Sequence, residues 1–258
     1  MEFFYLGLLF FSILFLNNFL YSKNILLSET GDNHQKFSSK SKIPLTGGIL
    51  IFTGYLYFIN NEILSFILFS FCIFLLGIFS DLKLLNSVRI RFFSQVFLVV
   101  LFIFFNQVEI RDTRIILLDN FLSMKFFNIL FVTFCVLIVI NGSNFIDGMN
   151  TLSIGYYLIV SIVLFYLHLR LGIDLKNISI IYVFFLLFSA FLLNITNRLY
   201  LGDSGSYLLG FSFSIFLINI YNWNVFLSPF FIVLLLWYPC YENLFSILRK
   251  NILKKSPL

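Results

Sequence analysis

The chain has 258 residues, of which 60% are hydrophobic and only 11% are charged. A soluble globular domain carries about 25% charged residues, so this composition excludes a water-soluble fold and indicates an integral membrane protein. The formal net charge of +5 comes from basic residues that flank apolar runs, as membrane topology signals do, and it gives no reason to expect nucleic-acid binding.

Nine apolar runs predict an all-α, polytopic membrane helix bundle with about nine transmembrane helices. A helix needs roughly 20 apolar residues to cross the hydrocarbon core. The runs cover residues 3–21, 44–60, 62–79, 92–106, 126–141, 152–169, 178–193, 206–221 and 225–239. The first run lacks a basic leader and a small-residue cleavage site, so we predict a retained helix. No repeat or linker divides the chain, and residues 1–258 are predicted to form a single membrane domain.

The distribution of lysine and arginine predicts an orientation with the N-terminus outside. Twelve of the seventeen basic residues lie in alternate loops, which the positive-inside rule assigns to the cytoplasm. These loops are 22–43, 80–91, 142–151, 194–205 and 240–258. Among the carboxylates that fall in them are Asp32, Asp81, Asp147, Asp203 and Glu242. Ionisable groups at membrane depth usually mark a functional path, so we predict a site on this face.

The island LGDSGSYLLG (201–210) has the residues of a phosphate and cation site. Gly202 and Gly205 flank Asp203 and allow a ligand to approach the backbone closely. Backbone N–H groups at a helix start suit phosphate, and a carboxylate suits Mg²⁺. The alternative interpretation is a helix cap with turn glycines.

Two further islands carry the remaining polar residues. NGSNFIDGMNTLSIG (141–155) contains three Asn, one Asp and three Gly, more than a single cap needs, and Asn can ligate a cation or bind a nucleotide. In the island at 77–95, Asp81 precedes Arg89 and Arg91. For these arginines, phosphate contact and a topology role both stay open.

The motifs together resemble the polyprenyl-phosphate N-acetylhexosamine-1-phosphate transferase family, glycosyltransferase family 4. That family shows PxxGG, GxxDD…R…Q, NAxNFxDGxDGL and GDxGSxxLG in this order, which correspond to 44–48, 77–95, 141–152 and 201–210. The resemblance implies transfer of a sugar-1-phosphate from a UDP-N-acetylhexosamine, such as UDP-GlcNAc, to undecaprenyl phosphate with release of UMP. This would be the first membrane step of cell-surface polysaccharide synthesis. It also implies Mg²⁺ as cofactor, with Mn²⁺ as an alternative, and a bacterial inner-membrane protein whose active site faces the cytoplasm.

The resemblance implies a role for each candidate residue. Asp203 and Asn144 would hold the metal, and Asp81 and Asp147 would surround the phosphates as catalytic residues, with Asp81 a candidate proton acceptor. The residues assigned to substrate binding are Lys36, Asn141, Asn150, Arg89, Gly202, Ser204 and Gly205. The expected partners are the lipid phosphate, the UDP-amino sugar, the membrane and, in a homodimer, a second copy of the chain.

Departures from the family pattern leave two alternatives open. Ser80 replaces the first Asp of the family's Asp pair, and Asn150 and Thr151 replace the second Asp and the Gly of DGxDGL. The family continues after a segment like Trp237–Phe245 into a His-rich motif, whereas this sequence ends at Leu258. A fragmentary or inactive homologue acting as a membrane scaffold is therefore one alternative. A cation-coupled transporter is the other, although transporters usually place carboxylates near the midplane.

Overall fold

The computed structural model describes residues 2–28, 42–58, 64–148, 151–175, 179–224 and 226–253. These residues form eleven helices, α1 (Glu2–Lys23), α2 (Gly47–Phe58), α3 (Leu64–Asp81), α4 (Val88–Asn106), α5 (Ile116–Leu122), α6 (Lys125–Ile146), α7 (Leu152–Leu171), α8 (Ile180–Ile195), α9 (Gly202–Trp223), α10 (Pro229–Leu235) and α11 (Trp237–Leu253). Within the same ranges the β-structure consists of one isolated bridge between Leu27 and Pro44. The prediction of an all-α, polytopic membrane bundle is confirmed.

Within the described ranges, six helices are long and apolar enough to cross a membrane, namely α1, α3, α4, α6, α7 and α9. Helices α10 and α11 meet at a bend of 67° and form a seventh span if they are taken together. Helices α2 and α8 fall in predicted spans but have only 12 and 16 residues in the described part of the chain. Each of the nine predicted runs thus contains a helix, but two of these helices are short and one is broken.

Helix α9 lies at the centre of the bundle, where it packs against α2, α3 and α6. Nearly all of its side chains are buried. Gly48 of α2 and Gly77 of α3 both meet the backbone around Ser204, and such small residues allow helices in a membrane to approach closely. The hydroxyls of Ser212 and Ser214 donate to carbonyls one turn earlier at 2.6 Å. The polar residues of α9 are therefore compatible with its burial.

The acidic residues lie at two opposite ends of the bundle, as the positions of the helix ends show. The ends of α3 and α6 and the starts of α4 and α9 meet at one end, which we call the site end. At the other end, the Tyr221 hydroxyl donates to the Asp112 carbonyl and the Asn224 amide donates to the Asp174 carbonyl at 3.0 Å. The distribution of lysine and arginine predicts that Asp81, Asp147 and Asp203 share one end of the bundle, and the helix ends confirm this. Asp32 lies outside the described residues.

The break between α10 and α11 has a local chemical cause. Pro239 has no N–H, so it cannot donate to the carbonyl of Leu235 four residues earlier. The hydroxyl of Tyr156 on α7 donates to that carbonyl instead. A proline together with an outside donor explains why the chain bends here rather than continuing as one straight helix.

Helix α11 corrects the predicted loop at 240–258. Pro239 packs directly on Gly142 of α6, and the Asn243 amide donates to the Ile138 carbonyl at 3.2 Å. Because Ile138 precedes Gly142 on α6, α11 runs back along α6 and away from the site end. Glu242 lies on this helix, and the described contacts do not join it to the other carboxylates.

Candidate functional site

Asp203, in the first turn of α9, accepts hydrogen bonds from three side chains. Its Oδ2 accepts Arg91 Nη1 at 2.8 Å, the hydroxyl of Ser80 and the hydroxyl of Tyr207 at 3.4 Å. Arg91 Nη1 also donates to the Ser80 hydroxyl oxygen. The side chains of Arg91 and Asp203 are 21% and 24% exposed, so solvent reaches the pair and screens its charges only in part.

Asp81, the last residue of α3, caps the N-terminus of α9. Its Oδ1 accepts the N–H of Asp203 at 2.8 Å, and its Oδ2 accepts the N–H of Ser204 at 3.1 Å. A helix start leaves such N–H groups without partners, and its dipole favours a negative charge there. Gly202 has a φ of +72°, and a Cβ on it would lie 2.8 Å from Asp81 Oδ2. Glycine at this position therefore permits the cap that orients Asp203.

Asp147 follows α6 as its C-cap residue and adds a third carboxylate. The backbone N–H of Gly202 is near enough to its side chain to favour the charged carboxylate. Burial, together with the negative charges of Asp203 and Asp81, raises the pKa of Asp147 well above its usual range. Three carboxyl groups from separate helices thus lie around Gly202, and Arg91 pairs with one of them.

The donor atoms at the site end fit a hard divalent cation. The described residues contain no group of three or more His, Cys, Asp and Glu side chains close enough to enclose a metal. Mg²⁺, however, is usually held by one or two carboxylates with substrate phosphates and water. Asn144 lies beside the first turn of α9, where its Oδ1 accepts the Ser206 hydroxyl at 3.2 Å. Oxygens of Asp203, Asn144 and Asp147 could therefore hold such an ion.

The structure does not bring all of the residues predicted to bind substrate to the carboxylates. The Asn141 amide donates to Gln95 Oε1 at 3.0 Å, so it takes part in the contact between α6 and α4. Arg89 is exposed on α4 and has no described contact with the carboxylates. Lys36 and Asn150 lie outside the described residues. For these four residues, substrate contact stays a prediction.

Ser204 and Gly205 lie where α9 crosses α2. Both are buried, and a Cβ on Gly48 would lie 2.5 Å from Ser204 Oγ and 2.7 Å from the Gly205 nitrogen. The N–H of Ser204 is already donated to Asp81. The structure gives these two residues a packing role, and a direct contact with substrate stays a prediction.

For Arg91 the sequence leaves phosphate contact and a topology role open, and at Ser80 it shows a missing carboxylate, yet both side chains contact Asp203. Arg91 follows Arg89 by two residues, so the two side chains point to different faces of α4. The spacing of Arg91 and Gln95, four residues apart, puts them on one face of α4, and the structure turns that face inward by burying Gln95. Ser80 was noted as a missing carboxylate, but its hydroxyl contacts Asp203 and Arg91.

Thr151, which replaces a family glycine, adopts a left-handed backbone at the start of α7. Its φ is 67°, and its N–H donates to Asn194 Oδ1 at 2.6 Å. This conformation costs a β-branched residue about 1–2 kcal/mol, whereas glycine adopts it freely. We expect Thr151→Gly to raise the free energy of unfolding by up to about 1 kcal/mol, after allowance for the greater chain entropy of glycine. Thermal unfolding in detergent would measure it.

Thr196→Gly is the matched control, because Thr196 has an ordinary φ of −80°. The same substitution there should leave stability unchanged or lower it. A Thr151→Gly protein that loses as much stability as Thr196→Gly would contradict backbone strain at Thr151.

Comparison with known proteins matches this chain to transferases. The sequence model of glycosyl transferase family 4 matches residues 63–221, which include Asp81, Asp147 and Asp203. The chain is 28% identical over 216 residues to "Undecaprenyl-phosphate alpha-N-acetylglucosaminyl 1-phosphate transferase" of Thermotoga maritima, covering 83% of this chain and 64% of the relative. It is 24% identical over 239 residues to "Probable undecaprenyl-phosphate N-acetylglucosaminyl 1-phosphate transferase" of Bacillus subtilis, covering 84% and 62%. The chain thus spans a little under two thirds of the length of these relatives.

Proposed function

This chain belongs to glycosyl transferase family 4, and we propose that it transfers an N-acetylhexosamine-1-phosphate from a UDP donor to polyprenyl phosphate. The observation that carries the proposal is the convergence of Asp81, Asp147 and Asp203 around Gly202 at one end of an apolar bundle. A lipid phosphate and a water-soluble sugar nucleotide can meet at such a place. The names of the two relatives specify undecaprenyl phosphate and an N-acetylglucosaminyl 1-phosphate group, and we extend both substrates to this chain.

The reaction joins two phosphates, so the site has to position them and reduce their repulsion. An oxygen of the lipid phosphate forms a bond to the sugar-linked phosphorus of the donor. The bond from that phosphorus to the bridging oxygen breaks, and UMP leaves with the oxygen and its electron pair. Mg²⁺ held by Asp203 and Asn144, or Mn²⁺ in its place, would supply positive charge to the phosphates when bound.

The roles of the two other carboxylates differ. Both oxygens of Asp81 accept backbone N–H groups of α9, so we assign Asp81 a positioning role rather than that of proton acceptor. A lipid phosphate is already largely ionised near neutral pH, so its attack needs no strong base. Asp147, the C-cap residue of α6, lies near the backbone of Gly202 and supplies a carboxylate from a different helix.

We propose that the site end faces the cytoplasm of a bacterial inner membrane. Arg89 and Arg91 on α4 and Lys83 just after α3 lie at this end, as the positive-inside rule expects of a cytoplasmic face. UDP-sugars are cytoplasmic metabolites, so this orientation gives the donor direct access to Asp203.

The test is a transfer assay with the purified chain in detergent. UDP-GlcNAc carrying ³²P in its sugar-linked phosphate and undecaprenyl phosphate should give UMP and labelled lipid in equal amounts, and only with Mg²⁺ or Mn²⁺. Omission of undecaprenyl phosphate should abolish both products. UMP without labelled lipid would indicate hydrolysis rather than transfer. If UDP-GlcNAc and other UDP-amino sugars all give no product, the proposal fails and an inactive scaffold is favoured.

A further inference from the structure

We propose that Arg91 holds Asp203 until a divalent cation binds, and that its guanidinium then moves to a phosphate of the substrate. The inference rests on the proposed function, because that function makes Asp203 a cation ligand and brings phosphates to the site. In this proposal, Arg91 couples the binding of the cation to the binding of phosphate.

The contacts of Asp203 place the guanidinium within a few ångströms of any cation that this carboxylate would hold. Arg91 Nη1 lies 2.8 Å from Asp203 Oδ2, the same oxygen that accepts the hydroxyls of Ser80 and Tyr207. A divalent ion on this oxygen would be within a few ångströms of the guanidinium, and like charges at that distance repel strongly in a partly desolvated site. The ion and Arg91 therefore compete for Asp203.

The pairing leaves much of the guanidinium unused. An arginine has five N–H donors arranged to fit two oxygens of a phosphate at once. The described contacts of Arg91 all come from Nη1, and its Nε is buried without a hydrogen-bond acceptor among the described residues. Because a buried donor without an acceptor is costly, a phosphate that accepts from two donors is a better partner for Arg91 than Asp203 alone.

Ser80 makes the exchange possible. Its hydroxyl donates to Asp203 and accepts from Arg91, so it links the two side chains without adding charge. The family pattern has a carboxylate at this position, which would attract the guanidinium as a second fixed anion. With a neutral hydroxyl there, Asp203 is the carboxylate that Arg91 contacts, and a cation on Asp203 releases it.

The other carboxylates do not offer Arg91 an equivalent partner. Asp81 already accepts two backbone N–H groups, and the described hydrogen bonds of Arg91 go to Ser80 and Asp203, not to Asp147. A released guanidinium is therefore expected to bind the phosphate that arrives with the substrate. Binding linkage is reciprocal, so phosphate should also draw Arg91 from Asp203 and tighten cation binding.

The sign of a change in cation affinity tests the proposal. Binding of Mn²⁺ to the full chain in detergent, without substrate, can be followed by electron paramagnetic resonance. We expect Arg91→Gln to bind Mn²⁺ about tenfold more tightly than the wild type, because a competing positive charge is removed. If Arg91 only held Asp203 in its orientation, the same substitution would weaken Mn²⁺ binding.

Two matched variants separate charge from position. Arg89→Gln removes the same charge two residues away on an exposed face, and it should change Mn²⁺ affinity by less than about twofold, since exposed charges are screened. Arg91→Lys keeps the charge, so its Mn²⁺ affinity without substrate should stay within about threefold of the wild type. An ammonium cannot bind phosphate with a planar fork as a guanidinium does. We therefore expect UDP-GlcNAc to tighten Mn²⁺ binding less in Arg91→Lys than in the wild type. The measured affinities are corrected for the Mn²⁺ that the nucleotide binds in solution.

The outcomes separate this inference from the proposed function. Weaker Mn²⁺ binding by Arg91→Gln, or the same UDP-GlcNAc effect in Arg91→Lys as in the wild type, overturns the exchange and leaves the transferase proposal standing. A wild-type chain that binds no Mn²⁺ and gives no labelled lipid overturns both. If Arg91→Gln does not fold, the comparison of Arg91→Lys with the wild type decides.

Discussion

Asp203→Asn is expected to lower sugar-phosphate transfer by at least about a hundredfold, the usual cost of losing a group that stabilises charge in the transition state. Asparagine keeps the size of the side chain but has no charge to hold a hard cation. It also leaves the Arg91 guanidinium, 21% exposed, without its counter-ion. The second effect should lower the free energy of unfolding by about 1–2 kcal/mol. Initial rates of transfer and thermal unfolding in the same detergent would measure the two effects.

Two controls distinguish lost chemistry from lost stability. Asp112→Asn makes the same charge change at the opposite end of the bundle and should leave transfer within about twofold, as surface substitutions usually do. The double variant Asp203→Asn with Arg91→Gln removes both charges, so it should recover part of the stability but none of the activity. Near wild-type transfer by Asp203→Asn, with unchanged dependence on Mg²⁺, would show that Asp203 does not hold the metal.

Gly77→Ala is expected to disrupt both the fold and the site. A Cβ on Gly77 would lie 2.3 Å from Ser204 Cα and 2.6 Å from the Ser204 nitrogen. These are backbone atoms of α9 that cannot rotate away, so α3 would have to move. Overpacking of this kind costs about 1–3 kcal/mol. Because Asp81 lies one turn further along α3, the shift should also weaken its hydrogen bonds to the start of α9 and lower transfer.

Gly7→Ala is the matched control, because no atom of the described residues lies within 4 Å of a Cβ at Gly7 on α1. It should leave stability unchanged or raise it slightly, since alanine favours a helix over glycine. The apparent melting temperature and the transfer rate of both variants check this prediction. Equal behaviour of Gly77→Ala and Gly7→Ala would contradict the close crossing of α3 and α9.

The fold class and the candidate site residues follow from the amino-acid sequence. Apolar runs of this length have few stable arrangements other than membrane-spanning helices, because each helix satisfies its own backbone hydrogen bonds. The same runs make polar islands conspicuous, so Asp81, Asp147 and Asp203 could be selected without coordinates. The alternation of loops then predicted that they share one end, which the helix ends bear out.

The contacts of these side chains follow only from how the helices pack. Asp81 and Asp203 are 122 positions apart in the chain, and no local pattern says that the first caps the helix that carries the second. The choice of Arg91 rather than Arg89 as the partner of Asp203 depends on how α4 is rotated against α3 and α9. The return of α11 along α6 depends on a hydroxyl of Tyr156 that replaces the missing donor of Pro239. Local composition fixes which segments are helices, whereas long-range packing fixes which side chains meet, because such contacts join residues that are distant in sequence.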